Sequence, residues 1–201
     1  MKISIEQLAP GVHLGLWKIS ETPEDIFSLY PFLRQYADEL NKRFRNVGRK
    51  MEFLCIRALL YEMCHDEQLL ISHQPSGKPV LSNGWQLSIS HTKGYAVLLL
   101  SEQQTVGVDI EYMSTRVERI APKYIRPDEA APTILDKMLN WCAKETAYKY
   151  FSADDLQFND MFVTRLPDML TVKNLKRDVV LPVHYRAETD YVLTYAFESA
   201  V

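Results

Sequence analysis

The sequence predicts an α+β fold of two halves, each with helices packed on an antiparallel meander of strands. Two patterns predict it: apolar residues recur at helical spacing, and short apolar runs bounded by turn residues follow them. Because this order of helices and then strands occurs twice, we place the halves at residues 1–103 and 104–201, meeting near Gln103.

The first half begins with a strand-like segment at residues 13–19, followed by helical segments at residues 24–45 and 49–65. The later helical segment carries its apolar residues at helical spacing, namely Phe53, Ile56, Leu59, Leu60 and Met63. Asn83-Gly84 then separates two strand-like runs, which predicts a hairpin because both residues accept the positive φ angles of a tight turn. The segment HTKG, which begins at His91, turns the chain into a further strand.

The second half repeats this order after the strand TVGVDIE, which ends at Glu111. Helices are predicted for TRVERIAPKYI and LDKMLNWCAKETAYKYF, which contain Ile120 and Trp141. Strand-like runs follow in the order MFVTRL, MLTVKNL, VVLPVHY and DYVLTYAFE. An antiparallel meander is therefore predicted to close this half as well.

Composition and charge indicate a globular protein. The 201 residues are 47% hydrophobic and 24% charged, which is enough to bury a large core. The net charge of −3, together with the lack of interleaved basic and aromatic residues, argues against a nucleic-acid partner. No G-x-x-x-x-G-K-S/T loop is present, which counts against a P-loop nucleotide enzyme, and there is no G-x-S-x-G nucleophile elbow either.

The cysteines and the length of the apolar segments indicate the cellular compartment in which the protein is expected. The three cysteines are odd in number and form no C-x-x-C pair, which argues against a disulfide framework or a zinc site and for a reducing compartment. No segment has the pattern of a signal peptide, and no apolar run approaches the roughly 18 residues of a membrane span. We therefore expect a soluble cytoplasmic protein with no membrane partner.

The stretch VGVDIE, residues 106–111, contains the first candidate site. In a strand, Asp109 and Glu111 share one face because successive side chains alternate. At roughly 6 to 7 Å their charges repel by about 2 kcal/mol, and a bound cation would turn this repulsion into attraction. The alternative is that acidic residues at a strand end simply face solvent.

A third carboxylate, Glu145, lies on the apolar face of a predicted helix, the face that also carries Trp141 and Cys142. A carboxylate on such a face is rarely buried unless it is paired or bound to metal. With Asp109 and Glu111 it can supply oxygen ligands for Mg²⁺, and such a site would bind a phosphorylated substrate. The alternative is an ordinary helix ion pair with Lys149, four residues further on.

Basic residues supply candidates for phosphate binding. Five of the 23 lysines and arginines fall within nine positions, namely Lys42, Arg43, Arg45, Arg49 and Lys50. Arg57 lies further along the same helical segment, and His91 lies at a predicted turn, where it can donate to a phosphate. The alternatives are a solvated basic surface and a histidine that is merely exposed.

These segments occur together in a known family. The chain resembles the Sfp-type 4′-phosphopantetheinyl transferases in five segments: RKMEFLCIR from Arg49, GKP from Gly77, SISHTKGYAV from Ser88, VGVDIE from Val106 and WCAKETAYK from Trp141. Each motif is weak alone. The G-x-D-x-E and W-x-x-K-E pair, at the separation seen here, is the specific part of the resemblance.

The resemblance implies two pseudo-twofold-related α+β halves and a Mg²⁺-dependent reaction. The 4′-phosphopantetheine arm of coenzyme A passes to a serine of an apo acyl or peptidyl carrier protein, releasing adenosine 3′,5′-bisphosphate. The implied metal ligands are Asp109, Glu111 and Glu145, and the implied catalytic residues are Glu145 as the base, Lys149 at the pyrophosphate and Lys144. The implied coenzyme A contacts are Arg49, Lys50, Arg57, Lys78, Ser90, His91 and Lys149. A monomer is expected.

Some features depart from the family pattern or stay open. Cys55-Ile56 replaces the small residues that usually precede the family arginine, and the role of Glu129 is open. Trp141 is interpreted mainly as a packing residue. Basic residues of one predicted helix offer a surface for an acidic carrier protein, namely Arg116, Arg119, Lys123 and Arg126. Two other functions remain: a non-catalytic relative that binds coenzyme A or carrier protein, and a Mg²⁺-dependent phosphohydrolase.

Overall fold

Antiparallel sheets with helices packed on them make up the chain in the computed structural model, which describes residues 2–198. The chain divides after Gln103 into a first and a second unit. The α+β class predicted from the sequence is confirmed. Residue 1 and residues 199–201, which the predicted halves include, lie outside the described residues. No helix within residues 2–198 is long and apolar enough to cross a membrane.

The first unit contains a four-stranded antiparallel sheet and a small two-stranded one. The larger sheet has the order β1-β2-β6-β5, with β1 at Lys2–Ala9, β2 at Val12–Lys18, β5 at Gln86–Thr92 and β6 at Tyr95–Ser101. The smaller sheet pairs β3 at Ile71–His73 with β4 at Pro79–Leu81. Strand β1 was not predicted from the sequence.

Three helices accompany these sheets: α1 at Pro23–Leu29, α2 at Ala37–Arg43 and α3 at Val47–Cys64. The predicted single helix over residues 24–45 is wrong, because a 3₁₀ segment at Pro31–Tyr36 separates α1 from α2. Pro31 cannot donate a backbone hydrogen bond, so a continuous helix is interrupted there. Helix α3 agrees with the prediction, and its apolar face packs with Trp17 and Leu98 in the core of this unit.

The predicted hairpin at Asn83-Gly84 is wrong in its strand pairing. Gly84 has a φ of 83°, as the turn requires, yet β4 pairs with β3 and β5 pairs with β6. A second turn, with Gly94 at φ 81°, joins β5 to β6 along all seven residues of each strand. The three-residue β4 instead belongs to the separate two-stranded sheet with β3.

The second unit is built on one five-stranded antiparallel sheet. Its order is β7-β11-β10-β9-β8, with β7 at Val106–Tyr112, β8 at Met161–Arg165, β9 at Leu170–Asn174, β10 at Val179–Ala187 and β11 at Tyr191–Phe197. Strands β8 to β11 follow one another as the predicted meander, and β11 also pairs with β7.

Helix α5 at Ile134–Tyr150 packs on this sheet, and the short helix α4 at Val117–Ile120 precedes it. The helix predicted from TRVERIAPKYI is shorter than expected, because a 3₁₀ turn that contains Pro122 follows Ile120. A capping box at Thr133 and Asp136 begins α5. Buried residues of α5, such as Leu139 and Ala143, form the core with strand residues such as Val172.

Candidate functional site

Strand β7 and helix α5 carry the three candidate carboxylates. Gly107 on β7 allows the two elements to approach closely, since a Cβ atom there would lie 2.4 Å from the carbonyl oxygen of Thr146 on α5. Asp109 is buried, whereas Glu111 and Glu145 are half-buried. The alternative that Asp109 simply faces solvent is therefore wrong.

Lys149 holds Asp109 in place. Its ammonium donates to Asp109 Oδ1 at 2.8 Å and to the carbonyl oxygen of Val108 at 2.9 Å. The ion pair of Lys149 therefore joins α5 to β7, so the alternative of a simple pair with Glu145 on the same helix is not what the structure shows. On the buried side, Cys142 forms a side-chain hydrogen bond with Asp109; burial raises the pKa of this thiol well above its usual value, and the charges of Asp109 and Glu111 act in the same direction.

Glu145 lies in an environment that disfavours its charge. Burial raises its pKa to about 7, and the negative charges of Asp109 and Glu111 act in the same direction, while Lys149 opposes them. Asp109 and Glu111 therefore interact electrostatically with Glu145, as expected of carboxylates that share a cation. A carboxyl group with this pKa can accept a proton near neutral pH.

Trp141 has a polar contact that the sequence did not predict. Its indole Nε1 donates to Glu111 Oε1 at 3.2 Å, which links α5 to the second carboxylate of β7. The predicted packing role also holds, because the Trp141 ring contacts the rings of Tyr124 and Phe158. The signal in the sequence was the helical spacing that places Trp141 on the same face as Glu145.

Lys144 has a different environment from the catalytic position that the resemblance implied. Its side chain and that of Glu129 are both fully buried, and the ammonium lies 2.7 Å from Glu129 Oε2. Two backbone carbonyl oxygens, of Tyr124 and Phe158, accept the remaining hydrogen bonds at 2.6 and 3.2 Å. All three donors of the ammonium are thus used within the protein. Glu129, whose role was open, is the partner of this buried pair.

The donor set of Asp109, Glu111 and Glu145 fits Mg²⁺ in its chemistry, because Mg²⁺ prefers carboxylate oxygens. As the side chains stand, no group of three or more His, Cys, Asp and Glu residues within residues 2–198 could hold a metal ion. Mg²⁺ is usually held by one or two carboxylates together with substrate phosphates and waters, so it does not need such a group. The carboxylates therefore suit a cation that arrives with a phosphorylated substrate.

A cavity of about 270 Å³ in the first unit gathers cationic side chains. It is lined by three of the predicted coenzyme A contacts, Arg49, Arg57 and His91, together with Arg43 and His73. The other predicted contacts in this unit, namely Lys50, Lys78 and Ser90, are outside its lining. His73 was missed because one histidine in a loop-like stretch carries no pattern.

Arg57 and Glu52 shape this cavity. The Arg57 guanidinium lies 3.3 Å from the centre of the Phe53 ring, and burial lowers the pKa of Arg57. Its Nε atom is buried and has no hydrogen-bond partner within residues 2–198. Glu52 accepts from Arg49 at 2.9 Å and lies 3.3 Å from His91, which belongs to β5 and precedes the turn. Cationic and aromatic groups together suit a phosphorylated aromatic ligand.

Comparison with known protein families identifies the segment that carries the carboxylates. Residues 105–196 match the 4′-phosphopantetheinyl transferase superfamily. The match contains Asp109, Glu111 and Glu145, and it lies within the second unit. A comparison with curated proteins found no match. The superfamily match indicates a transferase, and the mixed α+β architecture is consistent with its fold.

A second cavity, of about 240 Å³, lies beside Glu111 in the segment that matches the superfamily. Its apolar lining comes from Val117, Ile120, Met138 and Trp141. Arg116 and Arg119, two of the four basic residues predicted to face a carrier protein, also line it. Arg126, a third, instead forms hydrogen bonds with Asp128 and the carbonyl oxygen of Asn159.

Proposed function

We propose that this protein is an Sfp-type 4′-phosphopantetheinyl transferase. It transfers the 4′-phosphopantetheine arm of coenzyme A to a serine of an apo acyl or peptidyl carrier protein and releases adenosine 3′,5′-bisphosphate. The observation that supports the proposal is that Asp109 and Glu111 on β7 act electrostatically on Glu145 of α5, inside the segment that matches the superfamily.

In this reaction the serine hydroxyl oxygen attacks the phosphorus that bears the pantetheine arm. A new P–O bond forms, the bond from that phosphorus to the bridging oxygen of the pyrophosphate breaks, and the bisphosphate leaves with that oxygen. Glu145 takes the serine proton as the general base. Positioning and electrostatic stabilisation account for most of the rate in transfers of this type.

Asp109, Glu111 and Glu145 would hold the Mg²⁺ ion. When bound, the ion would neutralise charge on the pyrophosphate and on the leaving phosphate. The cation would also lower the pKa of Glu145 below the value set by burial, which favours the charged form that accepts the proton. Lys149, already held by Asp109 and by the carbonyl oxygen of Val108, would contribute a second positive charge for the pyrophosphate.

The cationic cavity of the first unit supports a place for the phosphates and adenine of coenzyme A. Arg49, Arg57 and His91 supply donors for phosphate oxygens, and Phe53 supplies an aromatic wall. Lys50, Lys78 and Ser90 stay predicted contacts of the same ligand. In the second unit, Arg116 and Arg119 are exposed beside the second cavity, and their charge suits an acidic carrier protein.

Intact-mass spectrometry of an apo carrier protein tests the reaction. After incubation with this protein, coenzyme A and Mg²⁺, we expect a mass gain of one phosphopantetheine arm. EDTA should abolish the gain, and Glu145→Gln should slow it by about 10²-fold or more, because the base is removed while the fold is kept. Glu67→Gln, an exposed carboxylate in the first unit, is the matched control and should act like the wild type.

The remaining outcomes separate the other candidate functions. Loss of coenzyme A without any carrier protein would indicate a phosphohydrolase. Binding of coenzyme A with no mass gain, across acyl and peptidyl carriers, would indicate a non-catalytic relative. Full transfer by Glu145→Gln would overturn the role of Glu145 as the base.

A further inference from the structure

Trp141 packs against two other aromatic rings, which also contact each other. Its ring centre lies 5.0 Å from that of Tyr124, at an interplanar angle of 72°, and 5.3 Å from that of Phe158, at 40°. The edge of the indole points to Glu111, since Nε1 donates to Glu111 Oε1 at 3.2 Å. The position of the Glu111 carboxylate therefore depends on where Tyr124 and Phe158 hold the indole ring.

The same two residues are held through their backbones by Lys144. Its ammonium donates to the carbonyl oxygen of Tyr124 at 2.6 Å and to that of Phe158 at 3.2 Å. Tyr124 is further tied to α5 because its hydroxyl donates to the carbonyl oxygen of Lys137 at 2.9 Å. One buried cation on α5 thus holds the backbones of both residues whose rings pack against Trp141.

Glu129 orients this cation and is itself fully hydrogen-bonded. Its Oε2 accepts from Lys144 and from the backbone N–H of Arg126, both at 2.7 Å, and its Oε1 accepts from the backbone N–H of Val163 at 2.7 Å. A buried ion pair contributes little net stability, and one documented use of such a pair is to impose a single arrangement on its neighbours. Here the neighbours are the segments that carry Tyr124 and Phe158.

We infer that Trp141 is a positioning residue for Glu111, and that the buried Lys144–Glu129 pair acts on Glu111 through Trp141. The contacts run from the ion pair to the backbones of Tyr124 and Phe158, from their rings to the indole, and from the indole N–H to the carboxylate. This inference rests on the proposed function, because it takes Glu111 as a metal ligand. Lys144 then supports the site without touching substrate.

The physical effect is preorganisation of a ligand. A half-buried glutamate has several freely rotating side-chain bonds, and ordering them when a metal binds costs conformational entropy. The indole N–H orders the carboxylate beforehand. Loss of such an outer partner typically weakens metal binding by about 10- to 100-fold.

Binding of Mn²⁺, measured by the EPR signal of free Mn²⁺ in the presence of coenzyme A, is the test. Trp141→Phe keeps an aromatic ring and removes the N–H, so we expect its Kd for Mn²⁺ to rise about 10-fold. The double variant Lys144→Met/Glu129→Gln, which removes both buried charges together, should raise the Kd in the same direction. Glu111→Gln provides the reference for loss of a ligand.

A double-mutant cycle tests whether the ion pair acts through Trp141. Adding Lys144→Met/Glu129→Gln to Trp141→Phe should produce little further change in Kd, because the route to Glu111 is already broken. Thr146→Val is the matched control: it removes a buried hydrogen bond between α5 and Thr194 and should leave the Kd unchanged. Turnover gives a second test. For Trp141→Phe, the Mg²⁺ concentration that gives half-maximal activity should increase by a larger factor than kcat decreases. A loss of stability alone does not produce this difference.

Several results would overturn the inference. If Glu111→Gln weakens Mn²⁺ binding and Trp141→Phe does not, Trp141 does not position Glu111. If the combined variant shows the full product of the two increases in Kd, from Trp141→Phe and from Lys144→Met/Glu129→Gln, the ion pair does not act through Trp141. If Glu111→Gln binds Mn²⁺ as the wild type does, Glu111 is not a ligand, and the inference falls together with the metal site of the proposed function.

Discussion

At the residue scale, Lys149 sets the charge balance of the candidate site. The helical spacing suggested a pair with Glu145, but the structure pairs Lys149 with Asp109 on the neighbouring strand. Burial and the like charges of Asp109 and Glu111 outweigh the opposing charge of Lys149, and the pKa of Glu145 is raised to about 7. Lys149 thus neutralises Asp109 and only partly offsets the negative charge around Glu145.

Lys149→Met is expected to lower both stability and activity. Asp109, whose side chain is 6% exposed, would lose its ion pair, and a hydrogen bond to a charged group contributes about 1.5–3 kcal/mol of unfolding free energy. Urea denaturation measures this loss. Lys149→Arg keeps the charge and should recover most of the stability; equal stability of the Met variant and the wild type would contradict the structural role of the pair.

Gly107→Ala tests the close approach of β7 to α5. The added methyl group would lie 2.4 Å from the backbone oxygen of Thr146, so the strand or the helix must move. Overpacking of this kind typically costs about 1–3 kcal/mol. Thermal unfolding should show a lower Tm, and transfer activity should fall because Asp109 and Glu145 separate. Gly48→Ala, near the exposed start of α3, is the control and should change stability by less than about 1 kcal/mol.

At the element scale, helix α5 is the part of the chain that assembles the site. It carries Glu145 and Lys149, and its Trp141 and Cys142 contact the carboxylates of β7. Its start is defined by Thr133, which accepts from the backbone N–H of Asp136 at 3.1 Å. Loss of stability in this first turn is therefore expected to affect the residues of the site that α5 carries.

Asp136→Asn should reveal the contribution of this helix start through its pH dependence. Burial alone would raise the pKa of Asp136, but hydrogen bonds from Thr133 and the ion pair with Arg165 hold it below its usual value. A lowered carboxyl pKa means that its stabilisation is present above the unfolded value, about 3.9, and is lost as the pH falls through the folded value. We expect the variant to be less stable at pH 7 by about 1 kcal/mol.

The measurement is urea denaturation of the wild type and Asp136→Asn from pH 7 down to pH 3. The difference in unfolding free energy should shrink below about pH 4, as the wild-type carboxyl becomes protonated. Glu67→Gln, at an exposed position of the first unit, serves as the charge-matched control and should show no such trend. A difference that stays constant with pH would show that the charge of Asp136 does not contribute.

At the scale of the whole molecule, the three cysteines are free thiols in different environments. Cys55 is buried in the first unit and Cys142 in the second, whereas Cys64 is half-buried. Burial raises the pKa of Cys55 to about 12 and also raises that of Cys142, so neither thiol forms the reactive thiolate at neutral pH.

Reaction with a thiol reagent such as DTNB should therefore modify Cys64 first. Cys55 and Cys142 should react only when the unit that contains each of them opens, and denaturant should make all three accessible. Peptide mass mapping after short labelling identifies the modified residue. Rapid labelling of Cys142 in the native protein would contradict its burial on the side of α5 that faces β7.

Much of the candidate site could be predicted from the sequence, because its chemistry depends on residue types at short spacings. The alternation of a strand places Asp109 and Glu111 on one face, and helical spacing places Trp141 and Glu145 on another. These local patterns also predicted α3, α5 and the final meander. The predicted bounds of the helices that became α1, α2 and α4 were wrong, because Pro31 and Pro122 interrupt the helical pattern.

The sequence by itself determined the α+β class, the candidate carboxylates and the resemblance to a transferase family, since periodicity and motif spacing are properties of neighbours along the chain. Only the tertiary structure decided which residues and strands contact one another: Lys149 with Asp109, Trp141 with Glu111, and β4 with β3. It also placed Lys144 in a buried pair with Glu129, fifteen residues away. Such partners are selected by burial and by satisfaction of hydrogen bonds across elements, which no local pattern records.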